Sequence, residues 1–464
     1  MSNIDTKKKI GLIGCIASGI GAIIGSGIFG SLPTVINDIG PAVILAFVAA
    51  VIYIVAQFVP SMYANSIIPA SGSFFLWSAK IVHPIVGLFM AIQNLLQPLL
   101  VGVFAVLFAD YFVVLFPAFE SYKVIVSVAI LLIYTFIAWF GNYTFVSINN
   151  IMVVILLVAI GLYIVIGLPS MNSGQLTLGE VFHPGVKLTS FGAAVGVLSS
   201  SLSGGSAISQ ISGDIKNPRR TVPLAIILSP IIVAVIYILM AIVTLGAMPG
   251  GELSTLSEVG EEFLSPSLLT FFIVGGPLFG VLTSMVPVIM LSCSQIQAAV
   301  DNGVFPKIIG KKNKHDVSPI ILAYVMGLSI ISAATGASFG VLMTVFSFVQ
   351  ALAALPPCLV PFFLHKRYPH ACNHAGLKMN RPFVYVVSIF SFIYSTYLAI
   401  SMILSLDVTV WLLIGGAMIL SIIYFIFRFR YKKSIGQDLM QELKAPYEEW
   451  EKFEAECRTM DEQN

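Results

Sequence analysis

The stretch Gly21-Ala22-Ile23-Ile24-Gly25-Ser26-Gly27-Ile28-Phe29 lies in the middle of an apolar run, 11–32. That run is long enough to cross a bilayer as a helix, for which about 20 residues suffice. A spanning helix must satisfy its own backbone, so irregular backbone at mid-membrane depth is tolerated only where it is buried in protein or lines a cavity. Gly25-Ser26-Gly27 supplies the residues for such an interruption. A second cluster, Ser199-Ser200-Ser201-Leu202-Ser203-Gly204-Gly205-Ser206, sits near the middle of another apolar run, 191–212. A lone glycine or serine in a membrane helix ordinarily marks close helix packing. Two clusters at corresponding positions of two halves point instead to a substrate site built from discontinuous helices.

The physics of that site follows from the helix ends. A half-helix beginning at Gly27 offers unpaired N–H groups and a positive dipole end, which suit a carboxylate, with Ile24, Gly25 and the Ser26 hydroxyl beside them. A half-helix ending near Leu202 offers unpaired carbonyls, which suit an ammonium group, within Ser200, Ser203, Gly204, Gly205 and Ser206. An α-amino acid zwitterion matches both. No charged side chain stands at either break, which disfavours a polycation or a dianion.

Outward from these clusters, the chain reads as all-α and membrane-embedded. Hydrophobic residues make up 58% and charged residues 10% of it, against roughly 25% charged in an average soluble domain. About twelve spans are expected: 11–32, 41–63, 85–116, 124–140, 146–168, 191–212, 222–248, 268–300, 319–335, 339–364, 383–406 and 408–427. With both ends on the cytoplasmic side, Lys and Arg sort almost wholly to the inside, as retained loops require. Only Lys123 and Lys187 fall outside, and the acidic stretch with Glu252, Glu258, Glu261 and Glu262 lies there too. The five cysteines are isolated and imply no disulfide framework. The tail, 428–464, is mixed in charge, with Met440, Leu443, Trp450 and Phe453 giving a partly apolar face, and reads as a short solvated helix near the membrane.

Further polar residues sit inside spans. Gln93, Asn94 and Gln97 occupy the third span, where Gln93 and Gln97 share a helix face; Asn94 and Gln97 are taken as candidate side-chain contacts. Ser199, Ser347 and Gln350 are left between pocket and packing. Asp110 is the one acid well inside a span, placed where it can reach outer water. His365, His370, Cys372 and His374 share a cytoplasmic loop with spacing too irregular for a metal site. No HExxH, paired carboxylates or Ser/His pairing indicates an enzyme, and neither a cofactor nor a nucleic-acid partner is expected.

Three motifs then carry a resemblance. Gly25-Ser26-Gly27-Ile28-Phe29, the loop Ile215-Lys216-Asn217-Pro218-Arg219-Arg220-Thr221-Val222-Pro223, and Ala298-Ala299-Val300-Asp301-Asn302-Gly303-Val304-Phe305-Pro306-Lys307 occur in the order seen in the amino acid, polyamine and organocation transporter superfamily, which this chain resembles. In the loop, Asn-Pro forces a turn, Thr221 can cap, and Pro223 fits a first helical turn. The resemblance implies the leucine-transporter fold, with inverted repeats 11–168 and 191–364, additional helices in 383–427, and polar ends 1–10 and 428–464. Pro69-Ala70-Ser71-Gly72-Ser73 brings it nearest the amino acid/amine antiporters such as the arginine/agmatine exchanger, although a second glycine is usual where Ser73 stands. Ser206 stands where those antiporters carry a proton-sensing glutamate, Ser200 where they carry a gating tryptophan, and Ile289 where another tryptophan lines the pocket. Their substrate is therefore not carried over.

The resemblance implies a secondary carrier in the cytoplasmic membrane, and the helix ends together with these departures from the antiporters make a small neutral or zwitterionic amino acid the expected substrate. A cationic amino acid/amine antiporter and a transporter-like nutrient sensor are the rival expectations. Its partners are the lipid bilayer, the substrate and a coupling ion left open between Na+ and H+. The oligomeric state is also open, with a homodimer as one option.

Overall fold

Backbone in lipid has to satisfy itself, and the apolar runs do so by winding as helices. The computed structural model describes residues 11–70, 73–140, 143–171, 186–205, 208, 215, 217–248, 250–315, 317–405 and 408–463, and every regular element among them is helical. The first half comprises α1 (Leu12–Ile23), α2 (Ser26–Ile39), α3 (Val43–Ile67), α4 (Pro84–Leu96), α5 (Leu99–Leu115), α6 (Lys123–Trp139) and α7 (Tyr143–Gly167). The second comprises α8 (Leu188–Leu202), α9 (Pro218–Ala247), α10 (Phe279–Asp301), α11 (Pro319–Ala334), α12 (Phe339–Ala353) and α13 (Leu355–Arg367). Then follow α14 (Arg381–Ser405), α15 (Val408–Ser434) and two tail helices, α16 (Leu439–Lys444) and α17 (Glu448–Gln463).

Eight helical stretches among the described residues are long and apolar enough to cross a membrane. The rest of the expected twelve are interrupted, shortened or only partly described: α1 and α8 end at breaks, α11 has 16 residues, and α15 follows the undescribed residues 406–407. Chain reversal between α2 and α3 occurs at Gly40, whose φ of 55° suits a residue without Cβ. Several expected spans are not single rods. Gln97-Pro98 separates α4 from α5, a π turn at Val274–Leu278 separates Pro266–Ile273 from α10, and Ala354 separates α12 from the Pro356-Pro357 start of α13. Each interruption coincides with a proline, which removes a backbone donor and clashes one turn back.

Solvent preference is turned inside out in α14. Val386, Ile389, Ile393, Ile400 and Leu404 are exposed along one face, while Ser388, Ser391, Ser395 and Ser401 are buried on the other. Tyr53 and Ser395 hydroxyls meet there at 2.8 Å. In water such an apolar face would promote aggregation, whereas in a bilayer it is the lipid-facing side. The molecule is a multi-pass helical membrane protein.

Two local expectations are corrected. Pro218, not Pro223, takes the first position of α9 behind a left-handed Asn217, and Thr221 lies inside that first turn rather than at the cap. The tail is also no solvated helix. Trp450 and Cys457 are buried, and Arg219 stacks 3.4 Å from the centre of the Phe453 ring. Lys80 Nζ donates to the Ala445 carbonyl at 2.9 Å, and Lys432 pairs with Glu442. The Glu454 carboxylate accepts the backbone N–H groups of His370 and Ala371 at 3.1 and 2.7 Å. His370 Nδ1 and His374 Nε2 each face an oxygen of Asp461 at 2.7 Å, while His365 meets Arg381 instead. Two of the loop histidines, His370 and His374, therefore meet at the Asp461 carboxylate and anchor the tail. The tail defines one face of the molecule, called the tail face below.

Candidate functional site

The first break falls at Ile24-Gly25, between α1 and α2. Gly25 (φ −138°, ψ −130°) lies so close to α10 that a Cβ there would fall 1.5 Å from Ser284 Oγ and 2.9 Å from the Gly280 carbonyl oxygen. The Ile23 carbonyl freed by the break accepts the Tyr237 hydroxyl at 3.0 Å. At the other side of the break, α2 starts with no side-chain cap, and its first N–H groups form its positive end. The Ser26 side chain lies outside the described residues. Gly27 packs on α8, where a Cβ would stand 2.9 Å from Ser201 Cβ, and Ser201 bonds across to Ser31 at 2.8 Å.

The second break therefore lies against the first. Helix α8 stops at Leu202, and Ser203–Gly205 form a short tighter turn in which the Ser203 hydroxyl donates to the Ser200 carbonyl at 2.7 Å. Ser206 lies outside the described residues. At this turn opens a cavity of about 100 Å³, lined by Ser203 and Gly204 together with residues of α3, α4, α10, α12 and α13. A water needs roughly 10–15 Å³ of such space, so the cavity holds on the order of seven to ten water-sized atoms, the size of a small amino acid. Among the described residues no Asp, Glu, Lys, Arg or His lines it. Asp110 is elsewhere, 3.6 Å from Lys123.

Of the expected residues, Asn94, Gln97, Ser203 and Gly204 line this cavity. Ser200 lines a hollow of about 30 Å³ beside it that shares Gln57, Ser203 and Gln350. Ile24, Gly25, Gly27 and Gly205 are buried but belong to neither lining; around Gly25 and Gly27 the structure shows backbone packed against α10 and α8. Ile289 is buried out of the lining, because 100° per residue on a helix turns its neighbours Val288 and Leu291 to the cavity instead. Gln57, Ser61 and Gln295 join the lining without having been expected. Their signal in the sequence is a polar side chain inside an otherwise apolar span, which seeks a partner.

The cavity lies toward the tail face: its lining comes from the late halves of α3 and α10 and the junction of α12 with α13. The opposite face is shut. Asn37 there exchanges two hydrogen bonds with the Leu253 backbone, at 2.8 and 2.9 Å. Tyr111 donates its hydroxyl to the Phe29 carbonyl at 2.9 Å and accepts the Leu256 N–H at 3.0 Å. Phe29 meets the rings of Tyr111 and Phe272 edge-on, at 6.3 and 6.1 Å.

Comparison with known proteins adds the following. A family profile described as "Amino acid permease" matches residues 10–428. The methylthioribose transporter of Bacillus subtilis is 24% identical over 437 residues, 88% of this chain and 91% of that protein. A cadaverine/lysine antiporter of Escherichia coli is 26% identical over 345 residues, covering 68% of this chain and 72% of its own. A branched-chain amino acid permease of Lactococcus lactis is 25% identical over 456 residues, 90% and 94% of the two chains.

Proposed function

Because this chain belongs to the amino acid permease family, we propose that it is a secondary carrier of a small zwitterionic amino acid in the cytoplasmic membrane. The observation that carries this reading is the cavity at the Ser203-Gly204 turn, with no charged side chain among its described lining residues, while α2 starts without a side-chain cap against α8, outside that lining. The positive end of α2 receives the substrate carboxylate, and the carbonyls at the end of α8 receive its ammonium group. Segments 11–168 and 191–364 act as inverted repeats that contribute one broken helix each, with 383–427 packed outside them. The tail face is cytoplasmic, where the basic loops collect. With the opposite face shut by Asn37, Tyr111 and Phe29, this conformation serves the cytoplasmic half of the transport cycle.

No acid or histidine lines the pocket among the described residues, which favours coupling that does not run through a titrating side chain there. Exchange, or a cation held by hydroxyls and carbonyls, fits the lining. The neutral walls also set this chain apart from a carrier of diamines, whose buried charges would need partners.

The test is counterflow of labelled amino acids into proteoliposomes, with and without sodium and across about pH 5–8. Zwitterionic substrates are expected to exchange, with rates that vary by less than about twofold over that range, since a group titrating there would normally be histidine. Uptake confined to cations, or no uptake of any amine or amino acid, would refute the proposal.

A further inference from the structure

The cavity wall holds an unusual concentration of one functional group. Gln57, Gln93, Asn94, Gln97, Gln295 and Gln350 place six carboxamides around it. Four of these are buried, with Gln93, Asn94, Gln295 and Gln97 only 2%, 3%, 6% and 8% exposed. Gln93 Nε2 and Oε1, Asn94 Nδ2 and Gln295 Oε1 have no hydrogen-bond partner among the described residues. Buried polar groups in folded proteins are almost always paired. Four unpaired atoms from two helices, all around one cavity, therefore mark a surface made to bond to a ligand.

The bonding pattern selects the chemistry. Two of these atoms are donors and two are acceptors. An aliphatic side chain satisfies none of them. An ammonium group only donates and leaves both nitrogens unmet; a carboxylate only accepts and leaves both oxygens unmet. Either ion would also be buried without a countercharge. A neutral group that both donates and accepts satisfies the whole set, and a carboxamide does so in paired, reciprocal fashion.

Resting on the carrier reading above, we propose that the carboxamide wall formed by Gln93, Asn94 and Gln295 is the side-chain subsite. Its substrate is an amino acid with a neutral side chain that both donates and accepts hydrogen bonds, with glutamine and asparagine as the best fit. A site built to bond such a group discriminates strongly against analogues that lack it, because its own polar atoms are then left unpaired.

Competition of glutamine, asparagine, serine, leucine, lysine and glutamate for counterflow into proteoliposomes tests this. Glutamine or asparagine should be preferred over leucine and lysine by on the order of 100-fold or more. Gln93→Leu and, from a different helix, Gln295→Leu should each raise the half-saturating concentration of glutamine by more than about tenfold while leucine exchange rises. That rise also shows the variants to be folded. Should a variant exchange nothing, ligand-induced thermal stabilisation in detergent decides: the inference requires glutamine to stabilise the wild type and not the variant, and equal stabilisation of both overturns it. Preference for leucine, with glutamine affinity unchanged in both variants, overturns this inference and leaves the carrier reading standing, whereas uptake confined to lysine overturns both. Absence of exchange for every amino acid in the wild type overturns both.

Discussion

A methyl group on Gly25 would have to displace Ser284 Oγ, which can rotate away, and the Gly280 carbonyl oxygen 2.9 Å from it, which cannot. Overpacking of this kind destabilises by about 1–3 kcal/mol. Gly25→Ala is therefore expected to lower the thermal unfolding temperature of the purified protein, and adding Ser284→Gly should recover only part of the loss. Full recovery would show that the backbone approach is not what demands glycine here. The same residue shows what a sequence can and cannot disclose. A glycine-serine-glycine triplet at mid-span announces an interruption because no other residues make one at so little cost. Whether the gap opens to a ligand or closes on a neighbour depends on what the fold brings against it. For Gly25 that is α10, and for Gly27 it is Ser201.

Elements legible in sequence are those whose signal is local. The apolar runs, the prolines that divide them and the serine-glycine cluster that ends α8 all fall within one stretch of chain. The cavity wall does so only in part: Asn94 and Gln97 stand out within their own span, whereas Gln57 and Gln295 come from two further helices and each is a single polar residue in an apolar run. The docking of the tail does not, since its α17 appears polar until Tyr368, His370, His374 and Arg219 are placed beneath it. Two histidines hold the Asp461 carboxyl down to about 2, from an ordinary value near 3.8. A depressed acid favours the docked state above its ordinary value, and that contribution is lost as pH falls through the depressed one. The tail should consequently stay protected from protease at neutral pH and be released as pH drops from about 4 toward 2. Asp461→Asn should release it at neutral pH, seen as faster tryptic cleavage after Lys452 and Arg458. Unchanged cleavage would mean that Glu454 and the buried Trp450 hold the tail without Asp461.

At the scale of the molecule, apolar side chains fill the interior and also cover the outward faces, as on α14, so buried polar groups stand out against an apolar background. Six carboxamides gather around one cavity that faces the tail, and on the far side Asn37, Tyr111 and Phe29 tie neighbouring elements together. The interruption that ends α8 lies at that cavity, and the interruption between α1 and α2 packs against α10 and α8 outside its lining. Everything proposed for function depends on the substrate sitting at the Ser203-Gly204 turn. Ser203→Cys, in a protein without the five native cysteines, places a reporter thiol in the lining. With zwitterionic substrate at about ten times its half-saturating concentration, only roughly a tenth of the sites remain free. Alkylation by a small maleimide should then slow by about tenfold. An unchanged alkylation rate at a substrate concentration that saturates transport would place the substrate elsewhere and contradict the account.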